Sequence, residues 1–106
     1  MTEDHSPRNF FSNALKAARK FSNVSQEDFG LISGRTYVSA LERGLKQPTL
    51  NKVDELASVL GIHPLTLLAL SYLDREDPSA QESLLADVSR ELSMIRGSGP
   101  VDRKFE

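Results

Sequence analysis

Between Ser25 and Gly44, two stretches with helical spacing, SQEDFGLI and RTYVSALERG, are joined by little more than Ser33-Gly34. So short a link forces two short helices to meet at a sharp angle. The second expected helix opens at Ser25 as N-cap, with Asp28 three residues on in a variant of the capping box. It carries Phe29 and Ile32 inward and stops near Ser33-Gly34. Gly30 lies inside it, where a glycine costs about 1 kcal/mol against alanine; close approach of another helix is a reason to accept that cost. The third expected helix runs from about Arg35 to Arg43, with Val38 and Leu41 facing the core and Gly44 as its stop.

The rest of the chain has the same helical period and no convincing strand. The first helix is expected over Asn9–Phe21, with Phe10, Phe11, Ala14, Leu15, Ala18 and Phe21 on its inner face. After the LKQP turn, the fourth starts near Thr49, buries Leu50, Val53, Leu56, Ala57 and Leu60, and ends at Gly61. The fifth has Pro64 in its first turn and runs to about Leu73. DREDP, residues 74–78, reads as a hinge-like break. Ser79, with Glu82 three residues on, then caps a sixth helix to about Ile95, whose apolar residues form a narrow stripe. The expected organisation is a flexible lead-in over 1–8, a helical domain over 9–73, a separate helix over 79–96 and a flexible tail over 97–106.

Composition removes several function classes. A chain of 106 residues buries one modest core. It has no cysteine, hence no disulfide frame and no thiol nucleophile. His5 and His63 have no partner at metal-ligand spacing. No Ser/His/Asp grouping, nucleotide loop or effector-binding domain is legible, so neither catalysis nor a cofactor is expected. The polar MTEDHSPR start and the brevity of LTLLAL point to a soluble, cytoplasmic protein. The net charge of −2 is unevenly spread. From Arg8 to Lys52, eight basic residues face three acidic ones; from Asp74 to Glu106, five face eight. A basic front and an acidic back suggest different partners.

Two short helices at a sharp angle make a helix-turn-helix, and the third helix leaves Arg35, Thr36, Tyr37, Ser39, Ala40 and Arg43 to face outward. Such a set can read base edges and phosphates from the major groove. SQEDF, RTYVSALERG, the Pro-Thr-Leu of KQPTL and LASVLGIHPLTLL, in that order, resemble the phage-repressor/Cro-type (XRE) helix-turn-helix family over roughly Ala14 to Leu70. The resemblance implies an all-α, five-helix lambda-repressor-like domain, here with an additional C-terminal helix. It implies a structural ion pair between Arg19 and Glu42, which removes Glu42 from the DNA contacts. It also implies phosphate contact by Gln26, base and phosphate reading by Arg35, Thr36, Tyr37 and Ser39, and backbone contact by Arg43, Lys46 and Gln47; Ala40 joins the expected DNA-binding set as an outward residue of the third helix. Arg35 suits guanine through O6 and N7. Tyr37 suits a thymine methyl or a phosphate, or packs on the second helix; Gln26 and Lys46 have ordinary solvated readings beside the functional ones.

The turn departs from the family pattern. That pattern has an apolar residue and a Ser/Thr N-cap between its glycine and the third helix, whereas Arg35 follows Gly34 at once. The missing cap is worth about 1 kcal/mol, so Ser33 or Gly34 must take its role, or the helix begins later or enters the groove at a shifted angle. In the sixth helix, Leu84, Leu85, Val88, Leu92 and Ile95 must bury against something: their own domain, or a second copy that sets two recognition helices on half-sites about 34–36 Å apart. The expected function is a dimeric, sequence-specific regulator of double-stranded DNA, most simply a repressor on an inverted-repeat operator. The rival is a protein-interaction module on the same fold, antitoxin-like or polymerase-contacting, with a toxin or RNA polymerase as partner.

Overall fold

The computed structural model describes residues 10–30, 34–73 and 77–97. Five α-helices and a single turn of 3-10 helix occur among them, and no strand. The α-helices are α1 (Phe11–Ser22), α2 (Arg35–Glu42), α3 (Leu50–Leu60), α4 (Pro64–Ser71) and α5 (Ala80–Gly97); the 3-10 turn spans Gln26–Phe29. The chain divides into two units, Met1–Tyr72 and Leu73–Glu106. Residues 1–9, 31–33, 74–76 and 98–106, with what was expected of Ile32, Ser33, the DREDP break and both chain ends, lie outside the described residues.

In the first unit α1 packs against α2, α3 and α4, and α3 packs on α4. Phe11, Ala14, Leu15 and Ala18 from α1 meet Phe29, Val38, Leu41, Val53, Leu56, Leu60 and Leu67 in one buried cluster. The element ends are set by local hydrogen bonds. Ser25 caps the 3-10 turn, its hydroxyl accepting from the Asp28 amide while Asp28 Oδ2 accepts from the Ser25 amide at 2.8 Å. Thr49 accepts from the Lys52 amide to start α3, and His63 Nδ1 accepts from the Leu65 amide to start α4, with Pro64 in the first turn. Gly61 closes α3 at φ 74°, and Ile62 donates back to Ala57, a glycine-terminated helix end. The chain bends by 109° from α3 into α4.

Several expectations are corrected. Where the second helix was expected to open, the described residues form a 3-10 turn, and Gly30 at its end has helical φ and ψ. Among the described residues a Cβ on Gly30 would meet only the carbonyl oxygen of Glu27, at 3.2 Å, so none of the described helices approaches closely enough to require this glycine. Phe10 precedes α1 and Phe21 occupies its last turn; both are exposed, Phe21 at 84%. Leu50, the first residue of α3, is 73% exposed. α2 starts directly at Arg35 behind Gly34, whose φ of 79° favours glycine and which, as N-cap, has no side chain to offer. In the second unit α5 continues to Gly97, and Asp77 orders its start by accepting from both the amide and the hydroxyl of Ser79.

A buried carboxylate fixes α2. Glu42, the last residue of the helix, is 6% exposed. Arg19 of α1 grips it bidentately, Nε to Oε2 at 2.7 Å and Nη2 to Oε1 at 3.0 Å, and Arg19 also donates to the Val24 carbonyl. Gln26 Nε2 donates to Oε1 at 3.0 Å. Burial alone would push the Glu42 carboxyl up; the hydrogen bonds from Arg19 and Gln26 and the charges of Arg19 and Lys16 outweigh it and hold the carboxyl below its usual range. The Glu42 hydrogen bond pushes the Arg19 guanidinium up against desolvation.

Glu42→Ala should therefore destabilise the domain by about 3 kcal/mol, the low end for breaking a buried pair because Arg19 retains some exposure. Thermal denaturation should show a melting temperature lower by roughly 10 °C or more. The depressed carboxyl contributes fully above about pH 4.3, the ordinary glutamate value, and its contribution is lost as pH falls through the lower folded value. Glu42→Gln should flatten that part of the acid limb; an acid limb identical to the wild type would contradict this origin.

Candidate nucleic-acid interface

α2 has eight residues, and its inward side is crowded: Val38, Ala40, Leu41 and Glu42 are all buried. The outward side is what the core leaves. Arg35, Ser39 and Arg43 recur every fourth position, which places them along one ridge of the helix and its C-terminal end, with Thr36 beside them. Arg35, Thr36 and Arg43 are exposed and Ser39 is half-buried. Ala40, expected to face outward, is 7% exposed and packs inward. Its position between Val38 and Leu41 puts it on the flank of the buried stripe, and its small side chain fits there.

Tyr37 is half-buried against the core cluster. The Lys52 ammonium of α3 stands 5.5 Å from the centre of its ring, within cation–π range, and 3.1 Å from Glu55 Oε1. Packing thus holds the ring, its partners lying in the core and on α3. Lys46 and Gln47 are exposed in the loop between α2 and α3. With Arg43 they form a short polar and cationic run past the end of the helix.

Gln26 is half-buried beside Glu42, to which it gives one amide N–H. Its carbonyl oxygen and second N–H remain available in principle. The residue belongs to the network that locks α2 as much as to the surface. Arg35, the first residue of α2, pairs with Glu27 of the 3-10 turn at 3.1 Å, both side chains 66% exposed. Sequence reasoning counted Glu27 only as a charge. Eight positions separate it from Arg35 across the turn, a spacing that no helix or strand rule marks as a contact.

Leu84, Leu85, Val88, Leu92 and Ile95 all fall on α5, where no residue is buried. Leu85, Val88, Leu92 and Ile95 are exposed at the alternating three- and four-residue spacing of a helix–helix seam; Leu84 is half-buried. Among the described residues no group of three or more His, Cys, Asp or Glu is placed to hold a metal ion. No single helix there is long and apolar enough to cross a membrane.

Comparison with curated proteins gives no match. A family model described as helix-turn-helix matches residues 15–67, half of the 106-residue chain. The matched segment runs from Leu15 in α1 to Leu67 in α4 and so contains the Glu42 network, the 3-10 turn and α2. Taken with the all-helical core and the outward ridge of α2, the match places this chain in the XRE-type helix-turn-helix family of DNA-binding transcription regulators.

Proposed function

We propose that the protein is a sequence-specific regulator of double-stranded DNA that acts as a dimeric repressor on an inverted-repeat operator, with α2 as its reading helix. The observation that carries this reading is the ridge of Arg35, Thr36, Ser39 and Arg43 on a helix whose opposite side is locked into the core. Arg35 and Thr36 meet base edges, with Ser39 lining the approach. Arg43, Lys46, Gln47 and the free part of Gln26 contact phosphates, which fix register and give affinity without carrying sequence information. Tyr37 supports α2 through its packing and offers its hydroxyl at the edge of the interface. Repression by occupancy suits a chain whose described residues include no effector-binding domain.

The dimer rests on Leu85, Val88, Leu92 and Ile95 of α5, with Leu84 at the margin. Four apolar residues at seam spacing on an exposed helix favour burial against an identical helix. The same stripe, on an acidic segment, supports the second reading: a helix that docks a toxin or RNA polymerase while the fold is kept as a scaffold.

Selection from random duplexes at about 0.1 M salt, where non-specific phosphate binding is already weakened, should enrich an inverted repeat. Arg35→Ala should cost about 1–3 kcal/mol on the selected site and relax preference at one base pair per half-site. Arg43→Ala should weaken all duplexes alike and lower the log–log salt slope by about 0.9. Failure to enrich any sequence would defeat the DNA-reading proposal.

Sedimentation tests the dimer separately. Leu92→Asp in the full chain, or truncation after Leu73, should give a monomer with the melting behaviour of the first unit retained. A truncated protein that stays dimeric would move the interface off α5.

A further inference from the structure

The pair between Arg35 and Glu27 is the feature the operator-reading proposal leaves unused. Arg35 Nη1 stands 3.1 Å from Glu27 Oε2, with both side chains mostly in solvent. A surface pair of this kind adds little to stability. Its location is what matters. Glu27 lies in the 3-10 turn and Arg35 opens α2, so the pair spans the connection between the two elements of the helix-turn-helix. It sets a carboxylate beside the guanidinium best placed to meet a base.

Resting on the reading of α2 as the base-contacting helix, we infer that Glu27 is a specificity-determining residue that turns Arg35 from a phosphate-binding cation into a guanine reader. An unpaired guanidinium is attracted to phosphates whatever the sequence. A carboxylate at ion-pair distance cancels much of that attraction and repels a phosphate that would approach the same spot. Guanine presents two neutral acceptors, O6 and N7, which need two N–H donors rather than net charge. Arg carries five N–H donors, so an ion pair at Nη1 leaves enough for both acceptors. The carboxylate also holds a long side chain in one orientation before DNA arrives, which reduces the freedom lost on binding. Arg43 and Lys46 have no carboxylate partner among the ion pairs of the described residues and keep their full charge for phosphates.

The test is Glu27→Gln in the full chain, titrated against the selected duplex and a scrambled duplex across a range of salt, with Arg35→Ala and the double variant alongside. Glu27→Gln should bind the scrambled duplex more tightly and steepen its log–log salt slope by about 0.9, the signature of one more phosphate contact. The ratio of selected to scrambled affinity should fall about tenfold, and the change in ratio should vanish in the Arg35→Ala background. A selected-to-scrambled ratio that Glu27→Gln leaves unchanged overturns the Glu27 assignment while leaving the reading of α2 in place. A ratio that falls equally with and without Arg35 overturns it as well, since Glu27 would then act without Arg35. A wild-type protein that binds both duplexes equally overturns the reading of α2 and this inference together.

Discussion

The carboxylate of Glu42 is the constraint on which the rest of the domain depends. Removing a carboxylate from water costs several kcal/mol unless its partners replace the lost hydration. Here three donors do so, two from Arg19 and one from Gln26. These residues come from α1, the 3-10 turn and α2, so one acceptor pair pins three elements at a single point. The apolar core alone would tolerate small rotations of α2, because Val38 and Leu41 find apolar neighbours over a range of angles. The carboxylate does not. A one-residue slip rotates a helix by about 100° and would leave Glu42 buried without its partners. The ion pair thereby fixes which residues of α2 point away from the core.

That division leaves few positions for recognition. Four of the eight residues of α2 are buried and Tyr37 is held by packing. Arg35, Thr36 and Ser39 remain, with Arg43 just past the helix. The overall charge of −2 is unevenly spread along the sequence, with eight basic and three acidic residues between Arg8 and Lys52. Within that excess, Glu27 is the acidic group paired with a residue of the ridge.

Much of this was legible in the sequence where the governing bonds are local. Ser25 with Asp28, Thr49 and Gly61 mark element ends because each makes its hydrogen bonds within about four residues, and Pro64 marks one because its ring fixes a helical φ where no N–H is needed. Leu15, Val38, Leu41 and Leu56 sit mid-stripe, and all are buried. The errors fall at stripe ends and flanks. Phe10, Phe21 and Leu50 have the right period, but periodicity does not say where the opposing helix stops. Ala40 gave a weak signal because its side chain is small. Nothing local separates a 3-10 turn from an α-helical start, so the sequence does not mark Gln26–Phe29 as 3-10. In the site, the ridge from Arg35 to Arg43 followed from spacing, and the pairing of Arg19 with Glu42 came from family resemblance. Gln26 with Glu42, sixteen positions apart, and Glu27 with Arg35 followed from neither.

The shortness of α2 bears on the oligomeric state. A good bidentate base contact discriminates by about 1–3 kcal/mol, and specific sites are typically favoured over non-specific DNA by about 4–10 kcal/mol. A ridge with one arginine and two hydroxyls at the base-reading end reaches only the lower part of that range. In the proposed dimer, two copies on two half-sites would reach the rest, which joins the reading helix and the apolar stripe of α5 in one proposal. α5 has 18 residues, about 27 Å at the α-helical rise, which gives fewer than three heptads of seam. A seam that short buries little, and an acidic segment repels its own copy. Weak association in solution then becomes an asset: binding of two half-sites supplies the proximity the seam lacks. Under the proposed repression, occupancy of the operator would rise steeply with protein concentration.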